Sequence, residues 1–144
     1  MGDRTSSSIT INASKSRIIE VIANFSSYPT WAEGIKRADV MSTGELDRAA
    51  QVRFRLEAGP IKDTYVLTYK WEGDDAVTWD MAEPGKMISS MSGAYRLVDK
   101  GDSTEVTYDL AVEASLLRMG IIKRKTEKMI ADMALRDLKR QVEG

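Results

Sequence analysis

Across the middle of this chain the apolar side chains of each extended stretch fall almost wholly on one parity, and that alternation restricts the fold more than any other feature. Val52, Phe54 and Leu56 share a parity, as do Tyr65, Leu67, Tyr69 and Trp71, then Val77, Trp79 and Met81. Met87, Met91, Tyr95 and Leu97 continue the pattern, followed by Val106, Tyr108, Leu110 and Val112. Successive residues of a strand point to opposite faces, so the pattern predicts an antiparallel sheet with one buried face and one wet face. Turn signals at Gly44, Gly59-Pro60, Gly73-Asp74-Asp75, Glu83-Pro84-Gly85 and Gly101-Asp102 divide the stretch that ends at Ala114 into six strands of a meander.

Before the meander, Ser8 to Ala13 alternates around Ile9 and Ile11 and reads as a short first strand. Ser14 has the chemistry of an N-cap, and Ile18, Ile19, Val21, Ile22 and Phe25 recur at helical spacing up to Ser26-Ser27-Tyr28-Pro29. Pro29 wastes no amide at a helix start, so Pro29 to Gly34 reads as a second short helix carrying Trp31. After the meander, Leu116 to Gln141 holds no proline and places Ile122, Met129, Met133 and Leu138 on one side, with Ile130 and Ala134 beside them. At 1.5 Å per residue this amphipathic helix would run roughly 39 Å, enough to cross the apolar face of the sheet. The predicted class is α+β: a seven-stranded curved antiparallel sheet wrapped around a long C-terminal helix, with two short helices after strand 1. No repeat or linker divides the 144 residues, so 1–144 reads as one domain.

Charge narrows the function. The 21 basic and 22 acidic residues nearly cancel, which leaves no field to hold a nucleic-acid backbone. Cysteine and histidine are both absent, removing disulfides, thiolate nucleophiles, sulfur-ligated zinc and the side chain that titrates nearest neutrality. No metal and no cofactor is expected. The polar start, Met1 to Ser8, lacks the apolar core of a signal peptide, and no later stretch is long and apolar enough to span a bilayer, so the expectation is a cytoplasmic protein without membrane insertion.

The order strand, two short helices, six-strand meander, long helix resembles the START-like (SRPBCC, helix-grip) superfamily over nearly the entire chain. Ser8-Ile9-Thr10-Ile11-Asn12-Ala13, Tyr28-Pro29-Thr30-Trp31 and Thr104-Glu105-Val106-Thr107-Tyr108 strengthen the match, which points to the branch named for polyketide cyclases, dehydrases and lipid transport. The resemblance implies a helix-grip fold with a site for a hydrophobic ligand between helix and sheet; some bacterial members fold and aromatise a poly-β-ketone. In the aromatase-cyclases a serine and an arginine on the middle strands face the cavity and are implicated in catalysis. The corresponding strand here, Thr64 to Trp71, has no arginine.

A ligand site of usual size is about 300 Å³ or more. Empty and dry, that volume would cost about 7 kcal/mol, comparable with the whole stability of a small domain. It must be wet, filled or collapsed. The candidate lining comprises Trp31, Ile35, Phe54, Tyr65, Tyr69 and Trp79, then Met91, Tyr95 and Tyr108, with Ile122, Met129 and Met133 from the helix. Aromatic and Met stripes of this kind also make ordinary core, but a buried tyrosine needs a partner for its hydroxyl, and several on one face suit a partly polar guest.

Asp63 shares parity with Tyr65 and is placed near the rim, either as a desolvated base or as a solvated turn or salt-bridge residue. Ser89, set inward beside Met87 and Met91, is a candidate donor to a ligand carbonyl or a serine bonded to backbone. Arg53, Arg55, Lys70 and Arg96 fall on the wet parity. Lys123-Arg124-Lys125 with Lys128 reads as a solvated helix face or a contact for anionic lipid.

Three functions follow. The first is a binding or carrier module for a small hydrophobic or aromatic, polyketide- or lipid-like ligand. The second is a polyketide cyclase, aromatase or dehydratase using Asp63 as base and Tyr65 or Tyr69 as acid. The third is a protein-interaction module. Oligomeric state is open in all three.

Overall fold

The computed structural model describes residues 4–44, 47–58, 61–114 and 120–144 and, within them, the side chains other than those of 58 and 120–122. The elements run β1 (Thr5–Ile11), α1 (Lys15–Ala23), a 3-10 turn (Phe25–Ser27), α2 (Tyr28–Trp31), β2 (Ile35–Thr43), β3 (Ala49–Ala58), β4 (Ile61–Glu72), β5 (Ala76–Glu83), β6 (Ile88–Asp99), β7 (Thr104–Ala114) and α3 (Gly120–Glu143). The seven strands form one antiparallel sheet in the order β1-β7-β6-β5-β4-β3-β2. This is the predicted architecture.

The boundaries move for local reasons. Ser14 caps α1 as predicted, its Oγ accepting the Arg17 amide at 3.2 Å. The second short helix ends at Trp31 rather than Gly34; Gly34 takes φ 89°, and its carbonyl accepts the Glu57 amide at 2.8 Å, which turns the chain into β2. β1 begins at Thr5, three residues before the predicted start at Ser8, because pairing with β7 recruits the polar Thr5-Ser6-Ser7 run that shows no alternation of its own. The predicted start of the long helix, Leu116 to Met119, lies outside the described residues.

Bulges give the sheet its bend. The register slips three times between β2 and β3, once at Val66/Leu67 and once at Ile88/Ser90. An extra residue on one strand bends it and increases twist, which curls the apolar face around α3. Ile18, Ile19, Ile22 and Phe25, from α1 and the turn after it, are fully buried in the same core. Phe25 sets its ring against Phe54, Tyr69 and Trp71 at 4.9–6.3 Å between centroids.

α3 is seated by one stripe, Glu127, Ala131, Leu135 and Leu138, all at most 2% exposed. The Glu127 carboxylate accepts the Val112 amide at 2.8 Å, the Thr5 hydroxyl at 2.7 Å and the Lys123 ammonium at 2.8 Å. Val112 lies on β7 beyond Leu110, where the pairing with β1 stops, so the helix supplies the acceptor that a strand would otherwise provide. Further along, Ser7 donates to Asp132 at 2.6 Å, Lys139 to the Thr10 carbonyl at 2.7 Å and the Asn12 amide to Glu143 at 2.9 Å. The bonds all run to the β1–β7 edge.

Burial works to raise the pKa of the Glu127 carboxyl, but Lys123, the Val112 amide and the Thr5 hydroxyl outweigh it and hold the group below the usual range. The stabilisation is therefore complete above the unfolded value of about 4.3 and is lost as pH falls through the lower folded value. Urea unfolding of Glu127→Ala at neutral pH should show a loss of about 3–5 kcal/mol, the cost of stranding a buried partner set. The deficit should shrink on acidification; a deficit that stays constant down to acid pH would contradict the assignment.

Candidate functional site

Between the concave face and α3 lies a cavity of about 160 Å³. Its wall on the helix is a second stripe, Thr126, Met129, Ile130, Met133, Ala134 and Asp137, spaced at i, i+3, i+4, i+7, i+8 and i+11. Phe54 on β3, Tyr65 and Tyr69 on β4, Trp79 on β5, Met91 and Tyr95 on β6 and Tyr108 on β7 form the facing wall. Trp31 of α2 and Ile35 of β2 close one side. Met129 lines the space while remaining 62% exposed, so the cavity reaches the surface beside it.

The rings of the sheet wall are interlocked. Trp79 sits 6.0 Å from Tyr69, 5.6 Å from Tyr95 and 5.4 Å from Tyr108, and Tyr95 meets Tyr108 edge-on at 4.9 Å. Gly93, the cross-strand partner of Trp79, makes this arrangement feasible, since a Cβ there would lie 2.6 Å from the indole and 2.4 Å from the Asp109 carbonyl oxygen. The wall is well packed, and the cavity comes to about half the 300 Å³ anticipated from ligand sites in general. Empty and dry, it would still cost about 4 kcal/mol at 24 cal/mol per Å³.

Hydroxyl chemistry separates the tyrosines. Tyr28 donates to the Ile22 carbonyl. Tyr65, Tyr69, Tyr95 and Tyr108 make no hydrogen bond to any described residue, and no buried side-chain atom is cut off from accessible space without a partner. These four hydroxyls therefore retain their bonding capacity at the cavity wall. Burial pushes their pKa values up, with weaker contributions from neighbouring tyrosines at Tyr65, Tyr69 and Tyr95, so they stay protonated throughout the physiological range.

Of the residues singled out from sequence, Trp31, Ile35, Phe54, Tyr65, Tyr69, Trp79, Met91, Tyr95, Tyr108, Met129 and Met133 are brought together on this lining. The side chain of Ile122 lies outside the described residues. Ser89 is exposed, its hydroxyl donating to the Glu113 carbonyl at 3.2 Å. The bulge between Ile88 and Ser90 reverses the parity there, so Ile88 and Met91 face inward and Ser89 faces water.

Asp63 is buried as its parity predicted, but it is absent from the described lining, and its carboxylate is fully engaged. It accepts the amides of Thr64 at 3.0 Å, Lys86 at 2.8 Å, Met87 at 2.9 Å and Ile88 at 2.7 Å. Burial raises its pKa, and the amides of Ile88, Lys86, Met87 and Thr64 more than reverse that, leaving it below the ordinary carboxylate value. Asp63 is thus a poor base and neither a solvated turn residue nor half of a salt bridge. It folds the turn that carries the chain into β6.

Sequence reasoning missed three polar members of the lining, Glu33, Thr126 and Asp137. Asp137 is 2% exposed and accepts the Glu33 amide at 2.9 Å and Arg140 Nη2 at 2.8 Å. Its position one turn beyond Met133 on the same stripe was the available signal.

The role of Asp63 can be checked through Gly85, where a Cβ would fall 2.1 Å from the Asp63 Oδ2. Asp63→Ala should cost at least about 3 kcal/mol by stranding several amides. Gly85→Ala should also destabilise, and the double variant should cost clearly less than the two together, because the clash disappears with the carboxylate. Strict additivity in denaturant unfolding would count against that coupling.

A family model described as polyketide cyclase / dehydrase and lipid transport matches residues 3–143. Among solved structures the chain is similar to a START superfamily protein from Mycobacterium smegmatis, at 22% identity and TM-score 0.90, with 99% of this chain and 98% of that one covered. It is also similar to a protein from Thermus thermophilus, at 16% identity, TM-score 0.82 and coverage of 98% and 97%. A third is the Zhui aromatase/cyclase from a Streptomyces species, at 13% identity, TM-score 0.71 and coverage of 99% and 94%. At these identities the likeness is one of fold. No curated protein matches the chain significantly in sequence.

Proposed function

We propose that this chain, which belongs to the polyketide cyclase / dehydrase and lipid transport family, binds a small hydrophobic or aromatic molecule in the cavity between its sheet and α3. The observation that carries the reading is the pairing of an apolar, ring-lined space with four tyrosine hydroxyls that no described residue satisfies. A plain core would bond such hydroxyls internally, as Tyr28 does. A guest with an aromatic body and polar edges would stack on the rings and take up the hydroxyls. The 160 Å³ space matches a single ring in size, about that of an engineered 150 Å³ cavity that takes up benzene. Larger guests would draw on the adaptable Met129 and Met133, whose unbranched side chains can repack at low cost.

One observation favours a catalytic use of the same cavity, as a cyclase, aromatase or dehydratase of a poly-β-ketone. Tyr65 and Tyr69 are held protonated by burial, so each can donate a hydrogen bond that polarises a ketone oxygen during aldol closure while keeping its own proton. Asp63 has no part in this version, since its oxygens are committed to backbone amides.

Solvent extraction of the purified protein followed by titration with single-ring and fused-ring aromatics tests the binding reading, with Trp31 and Trp79 at the cavity wall as fluorescent reporters. Saturable quenching is expected; no extracted species and no saturable change would sink it. Ala134→Leu projects extra carbon into the cavity and should raise stability by about 1 kcal/mol while weakening binding at least about tenfold. Unchanged affinity in that variant would place the guest elsewhere.

A further inference from the structure

The described lining contains two carboxylates, and they differ in kind: Glu33 is exposed, whereas Asp137 is 2% exposed and set in a mostly apolar lining. One Asp137 oxygen takes the Glu33 amide and the other takes Arg140. Two carboxylate oxygens offer about four acceptor positions, so roughly half of the capacity is unspent. Arg140 approaches from the solvent side with a side chain 64% exposed, and among the described lining residues there is no cation. The hydroxyls of Tyr65, Tyr95 and Tyr108, residues only 5%, 7% and 9% exposed, share the same wall and make no bond to described residues.

Resting on the binding reading above, we propose that Asp137 is the specificity-determining residue of the cavity: it takes a hydrogen bond from a hydroxyl of the ligand and turns away ligands that present an anion. The class selected is a neutral, hydroxyl-bearing aromatic, and the class rejected is the carboxylate-headed amphiphile, fatty acids included. A hydroxyl directed at a desolvated carboxylate makes a charge-assisted bond, stronger than its bonds to water. A second carboxylate in the same space would lose its hydration and face a like charge that Arg140 offsets only from the solvent side, with no cation among the described lining residues to pair with the ligand itself. The tyrosine hydroxyls complete the selection, because they can donate to a carbonyl or ether of the guest as well as accept from it.

Calorimetric titration with three single-ring probes of matched shape, para-propylphenol, para-propylanisole and para-propylbenzoate, separates this inference from the reading beneath it. At neutral pH the phenol should bind about tenfold more tightly than its methyl ether, and the benzoate at least about 30-fold more weakly than the phenol. Asp137→Asn retains an acceptor for the Glu33 amide, and in it the phenol–anisole ratio should collapse toward unity while the benzoate penalty shrinks to the part owed to lost hydration. Arg140→Gln, which removes the cation paired with Asp137, should widen the phenol–benzoate ratio and serves if the Asn variant folds poorly; a ratio unchanged or narrowed there would also overturn the role of Asp137. Phenol and anisole binding alike to the wild type, benzoate binding as well as phenol, or ratios unchanged in Asp137→Asn would each overturn the role of Asp137 while leaving the cavity reading intact. Failure of all three probes to bind the wild type would overturn both.

Discussion

α3 is fastened to the sheet along one edge, and the attachment centres on a carboxylate with no exposure at all. β7 runs past Leu110, its last described pair with β1, and there Glu127 takes the amide of Val112 from the helix. The same group draws in Thr5 and Lys123, so a single side chain fixes the height, rotation and register of the helix against the β1–β7 edge. Once that stripe is seated, the next stripe around the helix faces β3 to β6 across a concave surface. A straight cylinder cannot touch a curved sheet everywhere, and the residual space is the cavity.

The two walls of that space differ mechanically. The sheet wall is a chain of ring contacts running from Phe54 through Tyr69 and Trp79 to Tyr108, tightened by the absence of a side chain at Gly93. Rings locked in this way have few alternative rotamers. The helix wall offers Met129, Ile130, Met133 and Ala134, of which the methionines are unbranched and pliable. Any change in the volume of the space therefore falls on the helix side, next to the opening, while the four tyrosine hydroxyls stand on the rigid side.

Much of this could be read from the residues. The parity of apolar side chains located the concave face, and the tyrosines on it were found without coordinates because period-2 alternation survives wherever a strand runs unbroken. Ser89 went astray because a bulge at Ile88/Ser90 is a property of the β6–β7 pairing and leaves no mark in the local pattern. Asp63 had the right side but the wrong occupation, since its partners are amides that a turn more than twenty residues downstream delivers to it. Glu127 and Asp137 were overlooked for a common reason: a charged residue inside an amphipathic helix is ordinarily assigned to water, and the partners that favour its burial include amides of other elements, those of Val112 and Glu33, beside Lys123 and Arg140 on the helix itself.

The division of α3 into two interleaved stripes separates persistence from novelty. Positions that keep the helix in place, Glu127, Ala131, Leu135 and Leu138, are distinct from those that border the hollow, Met129, Ile130, Met133 and Asp137. Substitution at Met129, Ile130 or Met133 would reshape the hollow while leaving the seating stripe intact. Such an arrangement accords with the way neighbours sharing between 13% and 22% of their residues with this chain still superimpose over nearly its whole length. The hollow and its frame thus answer to different residues of one helix.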